Sequence, residues 1–308
     1  MGRANVANQG SGRRARIAEQ RASAQRTRTR NRILIASGAI VAVVGIVLGF
    51  ILTGGNSTSA TGHSGGSGAG APTGQALANL ITTTTSVPAA TMDRIGAGQV
   101  SAPPKSISGA PLASGGKPEV LYIGAEYCPY CAAERWAMVV ALSRFGTFSG
   151  LQVTHSAAVN GAGQAELFPN TRTWTFAHTT FASNYLTFTP VETYTNVPDP
   201  STGFYTPLQT LTAEQTALLK KYDAAYNGAI PFIDYGNKYL TVGASYDPAV
   251  LAGLNWNQIA AALHNPNSPV AAAVLGTANY MTAAICGLTN NQPAAACTSV
   301  VKSLRGKI

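Results

Sequence analysis

Cys128 and Cys131 enclose Pro129 and Tyr130 in the run GAEYCPYCAAERW, residues 124–136. Two thiols at this spacing can exchange disulfides, staple a fold, or supply half of a four-cysteine zinc site. Exchange needs the first sulfur at a helix start, where unpaired N–H groups and the helix dipole favour a thiolate. It also needs the second sulfur one turn on, able to attack the mixed disulfide. This reading makes Cys128 the nucleophile and Cys131 the resolving thiol, with Pro129 and Tyr130 shaping the turn between them.

Cys286 and Cys297 bracket GLTNNQPAAA, a turn between two apolar segments. A disulfide closing that helical hairpin is the simpler reading, and a second redox pair the alternative. Their spacing does not suit a zinc knuckle, and His155, His178 and His264 are scattered, so no metal is expected. The chain carries neither a nucleophile-elbow motif nor a phosphate-cradling glycine loop, which leaves hydrolase and nucleotide-binding readings without support.

The elements around residue 128 are those the chemistry requires. EVLYIGA, from Glu119, reads as a buried strand, and CAAERWAMVVALSRF as a helix that Gly146 stops. Pro129 is tolerated in the first helical turn. LQVTHSAAV, residues 151–159, predicts a second strand parallel to the first, completing a βαβ unit. YLTFTPVETY predicts a further strand, and Thr212 to Gln215 a capping box for a helix running to about Tyr226. AIPFIDYG and KYLTVGAS form a hairpin about Gly236-Asn237. A short helix over 255–264 and two more over 271–285 and 294–304 follow. The aromatics Phe168, Trp174, Phe176, Tyr185, Phe188 and Tyr194 read as core, with a peptide groove as the alternative. Trp136 is likewise expected in the core, and Glu126 and Glu134 are expected to face solvent.

Composition places the domain in the cell. The 308 residues carry a net charge of +9, of which residues 1–32, with nine arginines and Glu19, hold +8. The basic character therefore belongs to a tail, which has no aromatics for stacking on bases, and nucleic acid is not an expected partner. Residues 33–53 are free of charge and, at about 1.5 Å per residue, span roughly 31 Å, one bilayer core. Arginines before this run and none just after it place the N-terminus in the cytoplasm and the rest outside. All four cysteines then lie in an oxidising compartment. Residues 54–74 read as a Gly/Ser-rich tether and 75–117 as an irregular arm opening on a short helix.

AEYCPYC resembles the active-site run of thioredoxins, with Tyr127 where a tryptophan is usual and a glutaredoxin-like Pro-Tyr insert. GAIPFIDYGNKYL resembles the segment that carries the cis-proline of that fold. The resemblance implies a cis Pro231 beside the cysteines and, with Ile230, a backbone face for substrate. It departs at Tyr122, where thioredoxins carry a buried acid, and in the 100 residues that separate Cys131 from Pro231. A closer resemblance, through IGAEYCPYCAAERWAMVVALSRFGTF, PVETY and NYMTAAICGLTNNQPAAAC, is to the Domain of Unknown Function 929 family. It implies a membrane-anchored thioredoxin-like fold and no established activity.

The expectation is an α/β, thioredoxin-like domain over 118–308, preceded by one transmembrane helix. It has an insertion at about 160–226, before the cis-proline segment, and a disulfide-stapled helical extension at about 271–308. The expected function is a cell-membrane-tethered, extracytoplasmic thiol–disulfide oxidoreductase. Its partners would be thiols and disulfides of exported proteins and a redox partner in the membrane. No organic cofactor is expected, because the disulfide carries the electrons. The rival is a non-catalytic envelope binding or scaffold module with structural disulfides.

Overall fold

A computed structural model describes residues 70–223 and 228–308. The basic tail 1–32, the apolar run 33–53 and the tether as far as residue 69 lie outside them. The described residues form an α/β domain whose main sheet is mixed and six-stranded.

Two helices, α1 (Gly74–Thr85) and α2 (Ala89–Ile95), precede strands β1 (Lys105–Ser106), β2 (Ala113–Ser114) and β3 (Lys117–Gly124). Helix α3 (Pro129–Leu142) leads to four short strands, β4 (Thr147–Ser149), β5 (Gln152–His155), β6 (Arg172–Thr175) and β7 (Thr180–Ala182). Then come β8 (Thr187–Glu192), β9 (Tyr194–Asp199), β10 (Phe204–Pro207) and α4 (Ala213–Asp223). The hairpin β11 (Phe232–Tyr235) and β12 (Tyr239–Val242) precedes α5 (Trp256–Leu263), α6 (Pro269–Leu288) and α7 (Ser299–Arg305).

Strand β3 is the centre. It pairs in parallel with β8, Glu119 opposite Thr187 through Gly124 opposite Glu192. On its other side it runs antiparallel to β11, which pairs with β12, which pairs with β1 at the edge. β2 pairs antiparallel with the first residues of β3. Alternation sorts the sheet into two faces. Val120, Tyr122, Ile233 and Tyr235 join the core that includes α3, α5 and α6. Leu121, Ile123, Phe232 and Leu240 point the other way, against Leu218, Leu219 and Tyr222 of α4. The β11–β12 turn runs through Gly236 and Asn237, both at positive φ, as the Gly-Asn signal predicts.

The expected parallel partner of β3 is corrected. Residues 152–155 pair antiparallel with β6, and the parallel partner is β8. β5 is exposed or half-buried throughout, whereas β8 buries Phe188, Val191 and Glu192. Pro190, which would spoil a central strand, is tolerated because β8 pairs on one side only. The insertion is relocated as a result. Of the expected span, residues 160–186 lie inside the crossover from α3 to β8, residues 187–192 are β8 itself, and the rest lies between β8 and β11.

The segment 75–117 is more regular than expected. Thr82–Thr85 form the last turn of α1, and each hydroxyl donates to the carbonyl four residues back, at 2.9–3.0 Å. Pro88 then caps α2. The box at Thr212 forms as predicted: its N–H bonds the Gln215 side chain, and its hydroxyl accepts the Gln215 N–H.

Helix α6 is long and apolar enough to cross a membrane, at a mean hydropathy of 1.4, yet 89% of that window is buried within the protein. Its polar side chains are accommodated there. Asn279 donates to the Met92 and Gly96 carbonyls, and Thr282 donates to Ala278.

Candidate active site at Cys128 and Cys131

The turn after β3 delivers Cys128 to the N-cap of α3, with Pro129 as the first helical residue. Proline has no N–H to leave unpaired there, and its φ suits the helix. The Cys128 sulfur accepts the Cys131 N–H at 3.2 Å. Its thiol donates to the Ile230 carbonyl at 3.7 Å, across 102 residues of chain. The Ile230–Pro231 peptide is cis, and the Pro231 carbonyl accepts the Gly243 N–H at 2.8 Å. Both cysteines are unpaired and buried, Cys128 at 4% exposure and Cys131 at 0%.

The two thiols are electrostatically unlike. Burial pushes Cys128 up, but bonds from the Cys131 thiol and N–H, the Arg135 charge and the Tyr130 N–H outweigh it and hold Cys128 below the ordinary thiol range. Burial pushes Cys131 well up, and its bond to Cys128 and the charge there add to the rise. One thiol is poised to ionise and the other to keep its proton.

Aromatic rings frame the first sulfur. Tyr127 stacks on Tyr205 at 4.2 Å between centroids, 6° from parallel, and meets Phe204 edge-on at 5.3 Å. The Tyr205 hydroxyl donates to Glu166 at 2.6 Å. Tyr130, exposed, meets Phe168 edge-on at 6.1 Å. Of the other aromatics, Trp174, Phe176 and Phe188 are core, with Tyr185 packed against it, whereas Tyr194 touches Tyr127 and Phe204. Trp136 is fully buried, its indole N–H on the Arg172 carbonyl at 2.8 Å.

The structure thus brings Tyr127, Cys128, Pro129, Tyr130, Cys131, Ile230 and Pro231 together. Cys286 and Cys297 are elsewhere, bonded to each other at the end of α6. Among the described residues no group of three or more His, Cys, Asp or Glu side chains is placed to hold a metal.

A family model for a domain of unknown function (DUF929) matches residues 104–221 and 197–287, together more than half of the chain. The chain belongs to the DUF929 family. Comparison with curated proteins and with solved structures finds no match. The family match spans β3, α3, β8 and the β11–β12 hairpin, and so includes both cysteines and Pro231.

Three features of this DUF929 site escape the sequence reading. Glu134, expected in solvent, is fully buried and bound to Ser245. Glu126 is half-buried and accepts the Thr175 hydroxyl. Arg135 is also fully buried, in an ion pair with Glu192. The usable signal is local: α3 is apolar on every side, so charged residues within it require buried partners.

Proposed function

We propose that this DUF929 chain is a thiol–disulfide oxidoreductase on a thioredoxin-like scaffold, held outside the membrane by residues 33–53 and acting on exported proteins. The observation that carries the reading is the asymmetry of the pair. Cys128 caps a helix with its thiol held low, facing the carbonyl before a cis-proline, and Cys131 lies behind it with its thiol held high. The scaffold assignment draws support from the order β8-β3-β11-β12, parallel then antiparallel, with α3 crossing between β3 and β8.

In the reductive direction the Cys128 thiolate attacks one sulfur of a substrate disulfide. A mixed disulfide forms, and the departing substrate thiolate takes up a proton. Cys131 gives up its proton and attacks the Cys128 sulfur, and the second substrate thiol leaves. Two electrons and two protons pass to the substrate, and Cys128–Cys131 becomes the disulfide. Oxidation of a substrate dithiol is the same sequence reversed, and redox poise selects the direction.

The 4% exposure of Cys128 favours the rival reading, a binding module with inert cysteines, because exchange requires access to that sulfur. A redox titration decides between them, with thiols counted by alkylation and intact mass. An oxidoreductase opens Cys128–Cys131 reversibly between about −120 and −270 mV while Cys286–Cys297 stays closed. Resistance of both pairs to below about −300 mV, or thiols recovered holding zinc, sinks the proposal.

A further inference from the structure

Behind the cysteines lies the sole ion pair among the described residues, and the exchange steps above make no use of it. Arg135 stands four residues past Cys131, on the same side of α3. Its Nε donates to Glu192 Oε1 at 2.8 Å and its Nη2 to Oε2 at 2.6 Å, with neither side chain exposed. The same Nη2 donates to the Ala125 carbonyl at 2.7 Å. That carbonyl also accepts the Cys128 N–H at 3.3 Å. One oxygen therefore joins the guanidinium to the backbone of the nucleophile.

Glu192 is fixed in turn. Its Oε1 accepts the Phe176 N–H at 3.3 Å, its own N–H donates to Gln209 at 2.7 Å, and it lies opposite Gly124 in the sheet. Two buried donors here have no partner: Arg135 Nη1 and the Tyr122 hydroxyl, whose ring is 5.9 Å from the guanidinium carbon. Burying an ion pair is costly, and apolar residues of similar volume would fill the space at least as well. A retained charge acts strongly on a neighbouring anion in so dry a setting.

We infer that Arg135 is a positioning residue for the cysteine pair: through Ala125 it sets the turn that presents Cys128, and its charge favours the Cys128 thiolate, with Glu192 holding it in place. This rests on the oxidoreductase reading. The titratable groups facing the two sulfurs are Tyr122, Tyr127, Arg135, Glu192 and Tyr205. After burial and the bonds between the cysteines, the Arg135 charge is the next influence on Cys128. At Cys131 it outranks the opposing charge of Glu192.

The test follows the rate of Cys128 alkylation against pH in the full-length protein, with thermal melts as the check on folding. Arg135→Met raises the Cys128 pKa by about one unit or more, seen as at least a roughly tenfold slower alkylation below both values. Arg135→Lys, which keeps the charge and loses the fork, falls between this variant and the wild type. If Arg135→Met does not fold, Arg135→Met with Glu192→Leu decides, because removing both ions strands no buried charge. The double variant keeps the raised pKa. A folded single or double variant with the wild-type pKa overturns the inference. A wild type that exchanges no disulfide, while its thiol pKa depends on Arg135, overturns the oxidoreductase reading alone. An active wild type whose pKa ignores Arg135 overturns this inference alone.

Discussion

Glu134 and Ser245 form a closed pair inside the protein: the carboxylate accepts the Ser245 N–H at 2.9 Å and its hydroxyl at 2.6 Å, and neither residue is more than 1% exposed. The pair ties α3, one turn past Cys131, to the chain leaving β12. Burial, partly offset by the two bonds from Ser245, raises the Glu134 carboxyl to about 7. The folded state therefore keeps a proton that the unfolded chain releases, and stability falls as pH rises. The contribution is complete below about pH 4.5 and is lost by about pH 7. Its size is on the order of 3 kcal/mol. Glu134→Gln keeps one acceptor and gains a donor for the Ser245 hydroxyl, so it flattens this part of the curve. Urea melts of both proteins across the window measure the difference. Asp234, raised to about 6 by burial, acts in the same sense but is common to both proteins and cancels. An unchanged slope in the variant would mean that Glu134 is ionised throughout.

The unlike thiols predict an order of reaction. Near neutral pH an alkylating agent modifies Cys128 before Cys131, with about a tenfold gap in thiolate population for each unit between their pKa values. Cys131→Ser accumulates a mixed disulfide with a model disulfide substrate, whereas Cys128→Ser accumulates none. Peptide mapping by mass reads both results. Faster labelling at Cys131 would reverse the assigned roles.

The Cys286–Cys297 bridge closes a loop at a separation of 11 residues. In the chain-entropy model such a closure contributes about 3 kcal/mol. Replacing both cysteines by alanine should lower the urea midpoint accordingly and leave the reactivity of Cys128 unchanged. A change in Cys128 alkylation would reveal a coupling between the two ends of the domain.

Gly98 and Gly276 mark where the loop after α2 meets α6. Gly98 has a φ of 53°, and a Cβ there would overlap the Ala272 carbonyl, while one at Gly276 would lie 2.7 Å from the Ala97 carbonyl. Both obstacles are backbone, which cannot step aside. Gly98→Ala is expected to cost about 2 kcal/mol or more, from strain and overlap together. Calorimetry would show this as a drop of several degrees in Tm, and a loss below about 0.5 kcal/mol would mean that the loop moves freely off the helix.

What the sequence made legible was local chemistry. The helix-start cysteines, the Gly-Asn turn, the Thr212 box and the Cys286–Cys297 staple each announce themselves within about a dozen residues. The partner of β3 did not, because 152–155 and 187–192 are both short runs of β-formers. What separates them is burial, which depends on the whole sheet. The Arg135–Glu192 pair crosses 57 residues, and no spacing rule links its halves.

The contact between Cys128 and Ile230 has a consequence for biogenesis. A chain emerges from its N-terminus, so Cys128 is out of the ribosome 102 residues before the carbonyl that its thiol meets in the finished fold. During that interval its nearest thiol is Cys131, three residues away, while Cys286 and Cys297 have yet to be made. When those two arrive, eleven residues apart, each again finds the other first. Order of synthesis therefore favours local encounters, Cys128 with Cys131 and Cys286 with Cys297, over a bridge between the two sites.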